Sequence, residues 1–204
     1  MKFFVTTKLW NDDVRSGNTR EALKKSLENL GLDYVDLYLI HWPAEGYVEA
    51  YLEMEKLQKE GLTRSIGVSN FRNSHLQNLL SKVHIVPSIN QIETNPQMVD
   101  EETIQYCKEN KIGVEAWSPL GSGACLNNPK IQEIANKYQK SSAQIILRWL
   151  LQKGIVILPK SVHENRIKEN IDLFNFVLEN EDVELINQLN QHKRTGPDPD
   201  NFDF

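Results

Sequence analysis

The chain has 204 residues, of which 40% are hydrophobic and 25% are charged, and its formal net charge is −5. These values are typical of a folded globular domain and exclude the collagen-like, disordered and mini-protein classes. A net negative charge provides no basic surface for nucleic acid, and two cysteines, Cys107 and Cys125, are too few for a disulfide framework or a zinc site.

Six short apolar segments, rich in β-branched and aromatic residues, predict six strands. They are Phe3–Lys8, Val35–Trp42, Ser65–Asn70, Pro87–Glu93, Ile112–Ser118 and Ile155–Lys160. Their residues are nearly all apolar rather than alternating, which is typical of strands that are buried on both faces of a parallel sheet. The first helix is expected to begin at Asn18, where a capping-box pattern stands, and to end at Gly31.

Further helical patterns follow the later strands. They cover Tyr47–Glu60, Asn73–Ser81, Asp100–Asn110, Ser141–Lys153, His163–Leu173 and Glu181–Asn190. Repeated strand-then-helix units predict an α/β fold, either a barrel or an open doubly wound sheet. No Gly-rich or Ser-rich linker interrupts residues 1–204, so we expect one domain, with an extended or loosely ordered tail over about residues 194–204.

Polar residues follow every predicted strand, and their positions favour the barrel. These strand ends are Lys8-Leu9-Trp10, His41-Trp42-Pro43, Ser69-Asn70-Phe71, Gln91-Ile92-Glu93, Trp117-Ser118-Pro119 and Lys160-Ser161. The carboxyl ends of barrel strands form a single active face, whereas an open sheet uses mainly the point where its strand order reverses. Six contributing strands therefore predict a TIM-barrel type of fold.

Six segments in this order resemble the aldo-keto reductase family: "VTTKLW", "LYLIHWP", "IGVSNF", "INQIE", "AWSPLGSG" and "LPKSVHENRIKENI". The resemblance implies a TIM (β/α)8-type barrel that transfers a hydride from NADPH to an aldehyde or ketone and yields an alcohol. It also implies a small-molecule carbonyl substrate and a cytoplasmic, monomeric protein. No apolar run approaches the roughly 18 residues of a membrane helix, and the amino terminus lacks a signal-peptide pattern.

The resemblance assigns two catalytic residues and the walls of the substrate pocket. Lys8 matches the family lysine, whose charge lowers the pKa of a tyrosine proton donor, and His41 matches the histidine that binds the substrate carbonyl. Trp10 and Trp42 match aromatic residues beside His41 in the substrate pocket. The alternatives are a solvated surface lysine, a loop histidine and two core tryptophans.

The resemblance also assigns a cofactor site for NADP and no metal site. Ser69, Asn70 and Gln91 would bind the nicotinamide amide, and Trp117 would stack on its ring. The remaining cofactor residues would hold the pyrophosphate, the 2′-phosphate and the adenine: Leu120, Ser122, Lys160, Ser161, Arg166, Glu169 and Asn170. Lys160 and Arg166 favour NADPH over NADH. The alternative is that Lys160, Arg166 and Lys168 are only solvated residues on a helix surface. Leu126 replaces the third glycine of a dinucleotide fingerprint, which excludes a Rossmann site.

The sequence departs from the family at its amino terminus. Its motifs begin at the third family strand, so we expect an N-terminally truncated, six-strand barrel in which the catalytic Asp and Tyr are absent. The open edges, Phe3–Lys8 and Ile155–Lys160, would be prone to self-association. Two functions are carried forward: an NADPH-dependent carbonyl reductase, and a non-catalytic NADP(H)-binding module or inactive fragment.

Overall fold

All six predicted strands are present in the computed structural model, which describes residues 3–204. Their bounds are β1 Thr6–Leu9, β2 Val35–Ile40, β3 Thr63–Ser69, β4 Ile89–Glu93, β5 Gly113–Trp117 and β6 Val156–Ile157. Met1 and Lys2, with which the predicted domain begins, lie outside the described residues. The α/β class that the sequence predicts is therefore the class of the structure.

Nine α-helices lie within the described residues. They are α1 Asn11–Arg15, α2 Thr19–Leu30, α3 Tyr47–Lys59, α4 Asn73–Leu80, α5 Glu101–Glu109, α6 Pro129–Tyr138, α7 Ser142–Gln152, α8 Glu164–Ile171 and α9 Asn180–Asn187. Among the described residues, no helix has the length and apolar character that crossing a membrane requires.

The chain divides into two compact units. The first reaches Gln91 and also includes Glu102–Gly113 and Pro199–Phe204, and the second contains Ile92–Glu101 and Val114–Asp198. The single domain expected from the sequence stays a prediction.

Parallel strands in chain order form the sheet of the first unit. β1 pairs with β2, β2 with β3 and β3 with β4, with Ser69 beside Gln91 in the last pair. All six residues of β2 are buried, as its nearly all-apolar sequence predicts. Because the carboxyl ends of parallel strands lie at one edge, the polar residues that follow these strands are brought together there.

The second unit contains the parallel pair of β5 and β6, with Ala116 beside Ile157. The core of this unit includes the fully buried Trp149 of α7, whose Nε1 donates to Asn187 Oδ1 at 2.9 Å. β6 is shorter than predicted and partly exposed. Pro159 follows it, and proline has no N–H with which to extend a strand ladder.

Helix ends account for most remaining differences from the sequence predictions. Gly31 ends α2 in the left-handed conformation as expected, but the Asn18 side chain makes no capping hydrogen bond, so that predicted capping box is wrong. A reciprocal capping box stands instead at Ser141 and Gln144 of α7. The helices α1 and α6 are not among the predictions, although Asn128 caps α6.

Candidate active site

A lysine and a glutamine meet at the carboxyl edge of the first unit. Lys8 lies near the end of β1, and its Nζ donates to Oε1 of Gln91 in β4 at 2.6 Å. Gln91 is buried, whereas Lys8 is half-buried. The hydrogen bond fixes a positive charge at this edge, where it can stabilise developing negative charge.

His41 follows β2, and the backbone around it is held from two directions. Its N–H donates to the Leu9 carbonyl at 3.1 Å, and its carbonyl accepts from Asn70 Nδ2 at 3.0 Å. Burial of the ring, and secondarily the charge of Lys8, lowers the pKa of His41 from 6.5 to about 4. The imidazole is therefore neutral at pH 7, and one ring nitrogen carries an N–H that can donate to a carbonyl oxygen.

Ser69 and Asn70 end β3 in a tightly bonded corner. The Ser69 hydroxyl donates to the Gln91 carbonyl at 2.8 Å, and the Asn70 N–H donates to the same oxygen at 2.9 Å. Asn70 has a φ of 64°, a left-handed conformation that asparagine tolerates better than most residues. The structure thus gathers the predicted amide-binding residues in one place. Binding of a nicotinamide amide by them stays a prediction.

Aromatic rings surround His41. Its ring lies 5.1 Å from that of Trp10 and 6.4 Å from that of Trp42, between centroids. The tail adds two rings that the sequence reasoning missed: Phe204 lies 5.9 Å from Trp10, and Phe202 lies 5.2 Å from Trp42. These five rings, the aromatic wall, give the His41 side of the first unit a largely apolar surface.

Two polar side chains and an ion pair fix the tail in place. The Phe204 carbonyl accepts from Asn11 Nδ2 at 2.8 Å and from an Arg15 guanidinium nitrogen at 3.0 Å. Asp200 forms an ion pair with Arg72. The alternating aromatic residues of "NFDF" are the only sequence signal for this packing, and they carry no periodicity that predicts a partner.

The second unit contains a cleft of about 770 Å³. It brings together seven of the predicted cofactor residues, namely Leu120, Ser122, Lys160, Ser161, Arg166, Glu169 and Asn170. Lys160 and Arg166 are exposed, so two cationic side chains line this roomy cleft. Such a donor set suits a dianionic phosphate group. Lys168, also considered from the sequence, instead pairs with Glu164 one helical turn away.

The loop after β5 forms one wall of this cleft and is conformationally constrained. Ser118 and Ser122 both have positive φ angles, and the Ser118 hydroxyl accepts from the Ser122 N–H at 3.1 Å. Trp117, half-buried, ends β5 immediately before this loop. Across residues 3–204, no group of three or more His, Cys, Asp or Glu side chains is placed to hold a metal ion.

Comparisons with known proteins match the chain to one family. A family model described as the aldo/keto reductase family matches residues 1–191. The chain is 48% identical over 204 residues to a glyoxal reductase of Bacillus subtilis (strain 168), covering 100% of this chain and 74% of that protein. It is 48% identical over 206 residues to a methylglyoxal reductase of Escherichia coli (strain K12), covering 98% and 74%. The crystal structure of an aldo-keto reductase of Bombyx mori in complex with NADP superposes with a TM-score of 0.90 at 42% identity, covering 97% and 71%.

Proposed function

Since the chain belongs to the aldo/keto reductase family, we propose that it binds NADPH and reduces a small aldehyde or ketone to an alcohol. Membership confirms the resemblance found in the sequence, the barrel-type α/β fold class and the oxidoreductase class. The family acts on small carbonyl compounds. Two relatives are named for glyoxal and methylglyoxal, so a small 2-oxoaldehyde is the first substrate to test.

One observation carries the proposal: a neutral histidine stands beside a fixed lysine at the carboxyl edge of the first unit. The lowered pKa of His41 keeps an N–H available to donate to the oxygen of a substrate carbonyl. Lys8, held by Gln91, places a positive charge where that oxygen becomes negative during reduction. The aromatic wall lowers the local dielectric and so strengthens both interactions.

The chemistry of the predicted cofactor residues, seven of which line one cleft, supports NADPH as the cofactor. Lys160, Ser161 and Arg166 would hold the 2′-phosphate in the cleft of the second unit. Trp117 would present a flat aromatic face to the nicotinamide ring. When bound, NADPH supplies the hydride. The cytoplasmic location and the monomeric state expected from the sequence stay predictions.

A second candidate function is NADP(H) binding without turnover, and the tyrosines favour it. None of the six lies in a motif that matches the family's proton donor. Tyr38 and Tyr51 are fully buried, and burial raises the pKa of both hydroxyl groups, which is the opposite of what proton donation near neutral pH needs. Lys8 and His41 would then hold a ligand rather than assist its reduction.

The test is NADPH oxidation, followed by absorbance, with methylglyoxal and the purified 204-residue chain. If the chain is a reductase, Lys8→Met is expected to lower its turnover about 10²-fold or more. A loss of this size is typical when a group that stabilises transition-state charge is removed. Lys193→Ala, which changes an exposed tail residue, should leave turnover unchanged. Calorimetry in parallel should find NADPH bound more tightly than NADH, and Arg166→Ala should abolish that preference.

The outcomes separate the two functions. NADPH binding without turnover would reject the reductase and support the binding module. Absence of NADPH binding by the folded chain would reject both functions. Turnover that survives Lys8→Met would refute the role of Lys8.

A further inference from the structure

A buried carboxylate at the end of β4 has no role in the proposed function. Glu93 is 2% exposed. Its Oε1 accepts from the Thr195 N–H at 2.7 Å and from the Thr195 hydroxyl at 2.5 Å, and its Oε2 accepts from the Gly196 N–H at 3.4 Å. Three donors from two successive tail residues therefore converge on one carboxylate, which fixes that part of the tail.

Gly196, held in this way, lies directly against the indole of Trp117. A Cβ atom added at Gly196 would stand 2.4 Å from Trp117 Cη2 and 3.2 Å from Cζ3. The absence of a side chain is what allows the backbone to approach the ring edge this closely. Because the hydrogen bonds to Glu93 hold this part of the tail in place, Gly196 is a fixed neighbour of the Trp117 ring edge.

The same carboxylate also faces the loop that lines the cofactor cleft. Asn95 Nδ2 donates to Glu93 Oε1 at 3.5 Å, and Asn95 Oδ1 lies 3.7 Å from the Cys125 thiol. A Cβ at Gly121 of that loop would stand 2.9 Å from Cys125 Sγ and 3.4 Å from the Asn95 side chain. Glu93 is therefore hydrogen-bonded to the tail on one side and linked through Asn95 to the cofactor loop on the other.

We propose that Glu93, Thr195 and Gly196 are positioning residues that set the plane of the Trp117 ring, and through it the affinity for the nicotinamide ring. The inference rests on the proposed role of Trp117 as the stacking surface. Stacking depends on the orientation of both rings, so a displaced indole loses part of the contact. None of the three residues needs to touch the cofactor.

The decisive variant is Gly196→Ala, with NADPH affinity measured by calorimetry. The added methyl group must displace the indole or the tail, and we expect binding to weaken about tenfold. Thr195→Val removes the hydroxyl donor without adding volume at the ring and should weaken binding by a smaller factor in the same direction. Lys193→Ala, two residues before Thr195 and exposed, is the matched control and should bind as the parent does.

A double-mutant cycle distinguishes positioning from general damage to the fold. In a Trp117→Ala background, Gly196→Ala should have no further effect on NADPH affinity, because the ring through which it acts is gone. An equal loss in both backgrounds would overturn the proposal. So would parent-like affinity in Gly196→Ala.

A measurement without cofactor keeps this inference separate from the proposed function. The near-ultraviolet circular dichroism of Trp117, obtained by subtracting the Trp117→Ala spectrum, should change in Gly196→Ala while the far-ultraviolet spectrum stays as in the parent. If the parent does not bind NADPH, the proposed function fails, but this spectrum still tests ring positioning. An unchanged near-ultraviolet spectrum would refute it.

Discussion

The ionisation of His41 is the most direct physical test of the site. Its pKa of about 4 implies that roughly one molecule in a thousand carries an imidazolium at pH 7. Burial is the larger cause and the charge of Lys8 the smaller one. Lys8→Met removes only the second cause, so the pKa of His41 should rise but stay below 6.5. Lys8→Arg keeps the charge and should leave the pKa near 4.

The same shift predicts a dependence of stability on pH. Because the pKa of folded His41 lies below its unfolded value of 6.5, the unfolded chain takes up the proton first as the pH falls. The contribution of His41 to stability is therefore complete above pH 6.5 and is lost between pH 6.5 and 4. Converted in full into free energy of unfolding, the pKa shift corresponds to about 3 kcal/mol. Solvent screening of this half-buried ring reduces the expected loss of stability to about 1–2 kcal/mol.

Nuclear magnetic resonance titration of the imidazole from pH 3.5 to 8 measures this pKa, with the His41→Gln spectrum identifying the signal among five histidines. Urea unfolding across the same range measures the stability. A His41 pKa near 6.5 in the parent chain would refute the burial argument. An identical pKa in Lys8→Met would refute the contribution of Lys8.

Two further predictions concern close packing and a buried acceptor in the first unit. Gly67→Ala would place a Cβ 2.6 Å from the backbone oxygen of Ile89 and should cost about 3 kcal/mol in urea unfolding. Gly113→Ala meets first the movable Ile89 Cδ1, at 2.7 Å, and should cost about 1 kcal/mol; equal losses would contradict the distinction. Glu55 Oε1 accepts two backbone N–H groups at 2.7 Å, so Glu55→Ala should cost about 1–3 kcal/mol more than Glu55→Gln, and indistinguishable variants would argue against those bonds.

The strands were predictable because their signal is local. The clearest case is β2, which is buried throughout and is apolar except for Asp36. The rule that parallel strands end at one edge then predicts that Lys8, His41, Asn70 and Gln91 lie together. The seven cofactor residues that share the second unit's cleft came from the family resemblance rather than from periodicity.

What the sequence did not predict depends on contacts between distant residues. The packing of Phe204 on Trp10 joins residues that are far apart in the sequence, and no pattern within either segment encodes it. In the sequence, Glu93 is only the last residue of "INQIE", two positions after Gln91, to which the functional role was assigned. Its hydrogen bond to Thr195 spans 102 residues of sequence, which local reasoning cannot reach.

The hydrogen bond from Asn11 to the Phe204 carbonyl has a consequence for how the protein is made. Its two residues are 193 positions apart, although both belong to the first unit. At a synthesis rate of about 5–20 residues per second, roughly 10–40 s pass between their appearance on the ribosome. During that interval Trp10 and Trp42 lack the phenylalanine rings that pack against them in the folded protein, where Trp42 is buried and Trp10 stays partly exposed. The surface proposed to enclose the substrate is thus completed only after residues 202 and 204 have been synthesised, and until then the nascent chain exposes more of both tryptophans to chaperones or to other chains.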